Sequence, residues 1–203
     1  MSDLPLDLGG ALTARLGDAL DVEGKIPRAL DALGPVSGRD VLLLDGAGGL
    51  RAAQLEDLGA RVTVTSGPGP VPFEADDASA DVIVGCWSTF RAAPEDEIAD
   101  ARRILRPGGR LLVVHDYGRD DVARLFGERP EYAAWTRRDG PFLGHGFKIR
   151  VIHCFWTFPS VDEMADFLDA AFGEQGRDVA ASLHRPRLSY NIAVYHRTME
   201  AAA

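Results

Sequence analysis

The sequence predicts a doubly wound α/β fold with a mostly parallel sheet, and three patterns indicate it. The wholly apolar run from Val41 to Leu44 is typical of a strand buried on both faces of such a sheet. Strand-like runs of this kind alternate with residues at helical spacing along the chain. A glycine-rich turn, Gly46 to Gly49, joins the first strand to the next helix. With a second strand at 61–65, this unit predicts a right-handed βαβ crossover.

The element pattern predicts a single domain, 1–203, made of four consecutive segments. Residues 1–35 hold two short amphipathic helices, and residues 41–115 hold four strands and two helices. Residues 116–146 carry two short helices in a polar setting, an insertion that could form a lid or a substrate wall. Residues 147–198 read as strand, helix and strand, and the helix begins at a capping box, Ser160 to Glu163, and is expected to end at Gly173.

Composition and charge narrow the classes of partner. The chain has 203 residues, 46% of them hydrophobic, which fits one globular domain with a full core. Its 22 basic and 31 acidic residues give a net charge of -9, which argues against binding to nucleic-acid backbone and favours a small-molecule substrate. No apolar run approaches the ~18 residues of a membrane span, and the first residues lack a signal-peptide pattern. We therefore expect a cytoplasmic protein with no membrane partner.

Two motifs resemble class I S-adenosylmethionine (SAM)-dependent methyltransferases. Residues 70–84 read P-V-P-F-E-A-D-D-A-S-A-D-V-I-V, and residues 101–114 read A-R-R-I-L-R-P-G-G-R-L-L-V-V. Members of that family carry an L-P-F, acidic-turn, F-D-V-V stretch followed by an R-x-L-R-P-G-G-x-L strand entry. The motifs cover about residues 25–115, and the element order extends the resemblance over most of the remaining chain. The resemblance implies SAM as cofactor and a Rossmann-like sheet of order 3-2-1-4-5-7-6, with strand 7 antiparallel.

The chain departs from the family pattern at the ends of its first two strands. Leu44 and Leu50 stand where the family has an acidic residue and a third glycine, while Asp45 lies one position late. The second strand ends in Thr65 and Ser66, without the acidic residue that the family uses for the ribose hydroxyls. Residues 67–80 then number only 14 and are rich in glycine and proline, too few for a helix and a third strand. We expect strand 3 and its preceding helix to be shortened or absent.

Candidate cofactor-binding residues follow the strands, because ligands of open α/β sheets bind outside the carboxyl ends. Glycine at 46 and 48 would let the backbone approach the cofactor closely. Phe73 belongs to the first family motif, and Trp87 is a candidate for stacking on adenine or substrate, with core packing as the alternative. The full set is Asp45, Gly46, Ala47, Gly48, Ser66, Phe73, Cys86 and Trp87.

Candidate catalytic residues are His115, Asp116 and Tyr117, which follow the fourth parallel strand. Methyl transfer from a sulfonium depends mainly on positioning, but these side chains could orient or deprotonate an acceptor hydroxyl or amine. The alternative is an ordinary polar transition from strand to loop. Further along, Arg185, Arg187 and Tyr190 are candidates for binding an anionic substrate group or for pairing with the surplus acids.

Other interpretations of the glycine turn fit less well or stay open. A dinucleotide motif needs glycine where Arg51 stands, and a P-loop needs a G-K-S/T that is missing. The cysteines have no metal-type spacing, so no metal is expected. A methyltransferase-like protein that lacks the cofactor and acts as a binding or regulatory partner stays open, as does non-methyl chemistry such as cyclisation. The aromatic residues at 155–158 predict either core packing or a homodimer contact.

Overall fold

A computed structural model of the protein describes residues 4–44, 46, 49–65, 71–91, 95–127 and 129–200. Its sheet has six strands: β1 (Asp40–Leu44), β2 (Arg61–Val64), β3 (Ala80–Cys86), β4 (Leu105–Asp116), β5 (Lys148–Thr157) and β6 (Arg187–Thr198). The helices are α1 (Gly10–Ala19), α2 (Lys25–Leu33), α3 (Leu50–Asp57), α4 (Glu95–Ile104), α5 (Asp121–Phe126), α6 (Pro130–Trp135) and α7 (Val161–Ala181). A short 3-10 turn, Leu143–His145, precedes β5.

The strand order is β2-β1-β3-β4-β6-β5, which confirms the doubly wound sheet. Strands β1 to β4 pair in parallel, and β6 runs antiparallel to both β4 and β5. This is the order 3-2-1-4-5-7-6 with strand 3 removed. Residues 71–79 form only turns and bends, so the described part of the connection from β2 to β3 contains neither a helix nor a strand. The expected loss of strand 3 and its helix is confirmed over these residues.

Both faces of the sheet are buried at β1, which explains its apolar run from Val41 to Leu44. Val41 and Leu43 face the core under α1, α2, α3, α5 and α7, while Leu42 and Leu44 face the core under α4 and α6. Alternate side chains of a strand point to opposite faces, so a strand covered on both sides needs an apolar residue at every position.

Both faces of the sheet are partly uncovered near β2. A groove of about 840 Å³ lies over β1 and β2 and is lined in part by Leu42, Thr63, Phe73 and Arg103. On the opposite face, which carries Leu43, Val64 is 42% exposed. The groove reaches Asp40 at the amino end of β1, so it is a feature of the sheet face and lies apart from the carboxyl edge.

Two element boundaries differ from the sequence expectation, each for a visible reason. Strand β4 begins at Leu105, which pairs with Ala80 of β3, and it includes the R-P-G-G stretch, where Gly108 and Gly109 bond Met199. Helix α7 consists of two helical segments that meet at Gly173, where φ 59° and ψ -131° are non-helical; the first segment ends at the expected glycine, and the second was not expected. The Ser160 cap is confirmed, since its hydroxyl accepts the Glu163 N–H at 3.1 Å.

Among the described residues, no helix is long and apolar enough to cross a membrane. Within the same ranges, no group of three or more histidine, cysteine or carboxylate side chains is arranged to hold a metal ion.

Candidate active site

The carboxyl ends of the parallel strands bring a polar cluster together at one edge of the sheet. Strand β3 leads into Trp87, and β4 ends at Asp116, beside the first half of the antiparallel β6. Tyr190 of β6 and Tyr132 of α6 complete the cluster. Because open α/β sheets bind their ligands outside this edge, we take these four residues as the centre of the candidate site.

Asp116 is the hub of the cluster and is bonded by three uncharged donors. Its carboxylate accepts the Tyr132 hydroxyl at 2.8 Å, the Trp87 indole N–H at 3.1 Å and the Tyr190 hydroxyl. Burial raises the pKa of Asp116, while these donors lower it by stabilising the charged form. No described arginine or lysine forms an ion pair with it. The arrangement gives a carboxyl group of raised basicity, fixed in orientation, that can accept a proton.

The turn that carries Trp87 is held in an unusual backbone conformation. Trp87 and Phe90 have positive φ angles of 49° and 54°, which bulky residues rarely adopt. The turn folds back on β3 so closely that a Cβ at Gly85 would overlap the Thr89 hydroxyl. The backbone N–H of Trp87 donates to the Val114 carbonyl at 2.8 Å, which places this residue beside the end of β4. Strain of this kind is concentrated at functional sites.

Arg51 lies beside this cluster and was not among the residues predicted from sequence. It stands in the first turn of α3, directly after the glycine turn, and is 1% exposed. Its guanidinium carbon lies 5.9 Å from the centre of the Trp87 ring, and Nη1 donates to the Gln54 amide oxygen at 2.5 Å. Nε is buried without a hydrogen-bond partner, and none of the described ion pairs includes Arg51. A buried cation at a helix amino end is unfavourable by itself, so this position suits an anionic ligand.

The predicted cofactor-binding residues have different placements. Gly46 is buried, and a Cβ there would lie 2.5 and 2.8 Å from the Leu43 side chain and 3.0 Å from Val64. Packing within the protein therefore already requires this glycine, whether or not a ligand approaches it. Phe73 is 8% exposed and packs in the core against Phe90 at 5.9 Å. Four further members of the set lie outside the described residues: Asp45, Ala47, Gly48 and Ser66.

Cys86 and Trp87 lie where the sequence placed them, at the carboxyl end of β3. Cys86 is buried in the core that underlies α1 to α3. Trp87 is 4% exposed, and its indole joins the Asp116 cluster. Trp87 is therefore both a core residue and a member of the site, which the sequence had presented as alternatives.

The structure separates the three predicted catalytic residues. His115 is fully buried on the opposite face from Asp116 and is stacked on Trp135 at 4.6 Å between ring centres. The backbone of Thr89 and Phe90 interacts with the ring, but within the described ranges neither ring nitrogen makes a hydrogen bond of good geometry. Burial lowers its pKa to about 3, so the ring is neutral. Because it has no route to a substrate in the described structure, we assign His115 a packing role. Tyr117 lies near Arg119, 5.7 Å from ring centre to guanidinium carbon, and Asp116 alone of the three joins the cluster.

The residues that do bond Asp116 come from distant parts of the chain. Tyr132 is 16 positions away, and Tyr190 is 74 positions away. Tyr190 was a candidate for anion binding from sequence, yet its hydroxyl donates to Asp116. Its neighbour Arg187 instead covers the Phe155 ring at 4.5 Å. Nothing in the local pattern around Tyr132 distinguishes it from other helix residues, so this contact could be found only in the folded chain.

The sheet order, its single antiparallel inner strand and the edge site define the fold of class I methyltransferases, here without strand 3. A proposed type II methyltransferase from Anaeromyxobacter dehalogenans has the same fold, with a TM-score of 0.54 and 17% identity over 88% of this chain and 97% of that one. A SAM-dependent methyltransferase from Aquifex aeolicus gives 0.50 and 16% identity over 92% and 93%. A proposed methyltransferase from an antibiotic biosynthesis pathway of Anabaena variabilis gives 0.51 and 11% over 89% and 99%.

The structural similarity shows a shared fold, while the low identities mean that the roles of the site residues must be argued from this chain. No protein-family model matches the sequence, and no curated protein matches it at a significant level.

The packing of Gly46 gives a prediction about stability. Gly46→Ala should lower the free energy of unfolding by about 1–3 kcal/mol, because the added methyl group overlaps the buried Leu43 side chain and approaches Val64 closely. Gly17→Ala is the control: a Cβ there has only Leu4 within contact distance, at 3.9 Å, and Gly17 lies inside α1, where alanine is favoured over glycine. Urea unfolding of both variants measures the difference. Equal stabilities would show that the turn relaxes around the methyl group.

Proposed function

We propose that the protein binds SAM at the carboxyl edge of its sheet and transfers the methyl group to a small molecule. The observation that carries the proposal is the buried Arg51 guanidinium, which follows the glycine turn and has an unpartnered Nε beside Trp87. SAM presents a carboxylate, which a guanidinium binds through strong charge-assisted hydrogen bonds. The shared fold with a SAM-dependent methyltransferase from Aquifex aeolicus supports the same assignment.

The residues present fit such a ligand in two further respects. The indole of Trp87 offers an aromatic face at the end of β3, suited to a flat base or to a sulfonium cation. Gly49 has φ 76° and begins α3 without a side-chain cap, so the first backbone N–H groups of this helix receive no cap from that residue. Backbone N–H groups at a helix amino end attract negative charge.

When bound, SAM supplies an electrophilic methyl group, and the chain's own residues supply position and proton acceptance. Asp116 is fixed by the hydroxyl groups of Tyr132 and Tyr190 and by the Trp87 indole. Because its pKa is raised, Asp116 is a stronger base than an exposed carboxylate. We assign it the role of receiving the proton from the acceptor hydroxyl or amine, with the three donors as positioning residues.

Titration with SAM tests the cofactor assignment directly. We expect heat of binding, a rise in the unfolding temperature and a change in tryptophan emission on adding SAM to the whole chain. The emission change should disappear in Trp87→Phe and persist in Trp135→Phe, because Trp87 lies at the site edge beside Arg51 while Trp135 stacks on the buried His115. No heat and no thermal shift at millimolar SAM would instead support a methyltransferase-like protein without cofactor.

A further inference from the structure

A second cavity, of about 250 Å³, lies beside Tyr132. Its walls come from the start of the insertion after β4, from α5 and from α6, and they include Tyr117, Arg119, Arg129 and Tyr132. The hydroxyl of Tyr132 donates to Asp116 at 2.8 Å. The cavity therefore shares a wall residue with the cluster that holds the proposed base.

The charge of this cavity is opposite to that of the protein as a whole. Two arginines and no acidic residue are found among its described lining residues, on a chain with a net charge of -9. Arg119 takes part in none of the described ion pairs, and its guanidinium lies 5.7 Å from the Tyr117 ring centre. Arg129 lies 5.7 Å from the Phe126 ring centre and has a 3.9 Å contact with Glu131, a carboxylate that also faces Arg91 at 3.6 Å. Both guanidiniums therefore retain donors for an additional anion.

The backbone that carries Arg119 is fixed in an uncommon conformation. Arg119 has φ 59°, in the left-handed region, and the Asn191 amide donates to the carbonyls of Gly118 and Arg119 at 3.2 Å. Gly118 is buried with φ 75°, and a Cβ there would lie 2.9 Å from the Tyr132 ring. The cavity wall is thus positioned by β6 and by close packing, which suits a binding site better than an unconstrained loop does.

We propose that this cavity binds the methyl acceptor and that the acceptor is a small aromatic oxyanion. Its ring would lie between the Tyr117 and Tyr132 side chains, with its carboxylate or phosphate at Arg119 and Arg129. A guanidinium pair favours carboxylates and phosphates through directed, charge-assisted hydrogen bonds. The role as acceptor site rests on the proposed methyl transfer, whereas the binding of aromatic anions does not.

Fluorine-labelled probes test the binding without any cofactor. In ligand-observed ¹⁹F NMR of the whole chain, 4-fluorobenzoate and 4-fluorophenyl phosphate should broaden, while the uncharged 4-fluorobenzamide should not. Whichever anion binds more tightly identifies the oxyanion. Arg119→Met and Arg129→Met should each weaken binding by about tenfold or more, the effect of losing a charge-assisted hydrogen bond. Arg124→Met is the matched control, because Arg124 lies on α5 but bonds Ser182 and faces Asp121.

Equal binding of the anion and the amide, binding unchanged in both arginine variants, or no binding of any probe would each overturn this inference. Thermal unfolding of the variants checks that the fold is kept, which is expected because both arginines are exposed. Failure here with SAM binding intact would refute only the aromatic-anion site. Probe binding without SAM binding would keep that site and refute the methyltransferase assignment.

Discussion

Arg51→Met is expected to reduce SAM binding by about tenfold to a hundredfold while making the ligand-free protein more stable. Methionine keeps most of the volume, and it removes a guanidinium that is 1% exposed and has no ion-pair partner among the described residues. Loss of hydrogen bonds to a charged group accounts for the weaker binding. Removal of an uncompensated buried charge should raise the free energy of unfolding by about 1–4 kcal/mol. Calorimetry with SAM and chemical unfolding measure the two effects.

Opposite changes in stability and binding distinguish a ligand-binding arginine from a structural one. Arg124→Met, on the exposed side of α5, is the control and should leave both quantities close to those of the unmodified chain. If Arg51→Met lowered the free energy of unfolding and left SAM affinity unchanged, Arg51 would have a structural role through its contacts with Gln54 and Trp87. The proposed carboxylate contact would then have to be abandoned.

His115→Phe is expected to abolish a large acid sensitivity of the fold. Burial lowers the pKa of His115 from 6.5 to about 3, so below pH 6.5 the unfolded chain takes up a proton that the folded chain does not. Stability is therefore lost as the pH falls from 6.5 towards 3, by about 1.4 kcal/mol per pH unit from this residue alone. Phenylalanine preserves the contacts with Trp135 and Phe142 and cannot take up the proton.

The comparison is made as a difference between two unfolding profiles, because other groups also titrate. Asp120 has its pKa raised to about 6 by burial, so it acts in the opposite sense and loses stability as the pH rises from 3.8 through 6. Subtracting the His115→Phe profile from that of the unmodified chain removes this shared contribution. The free energy of unfolding of the variant, relative to that of the unmodified chain, should be about 3 kcal/mol higher at pH 4 than at pH 7. Parallel profiles would mean that His115 is hydrated or paired. His184→Phe, at an exposed position, serves as the control.

The fold could be predicted from sequence because burial on both faces leaves a local pattern. The inner parallel strands β1, β3 and β4 each contain a short apolar run, and the shortage of residues between Ser66 and Asp81 correctly indicated the missing strand 3. The boundaries that failed depend on distant partners. Strand β4 starts at Leu105 because Leu105 pairs with Ala80 of β3, and Gly108 and Gly109 bond Met199 at the other end of the chain. The kink at Gly173 lets α7 continue, with Gly176 packed against the Leu168 backbone.

The site was predicted only where strand order is sufficient to locate it. Because parallel strands end at a common edge, the sequence alone determined that Trp87 and Asp116 lie there. Which side chains meet Asp116, whether His115 faces the ligand or the core, and whether Arg51 is buried were decided by the tertiary structure. Alternation along β4 turns His115 away from Asp116, and contacts with Tyr132 and Tyr190 form across segments distant in sequence. Local patterns encode burial and element order, whereas a binding site depends on side chains that only the packing of separate elements brings together.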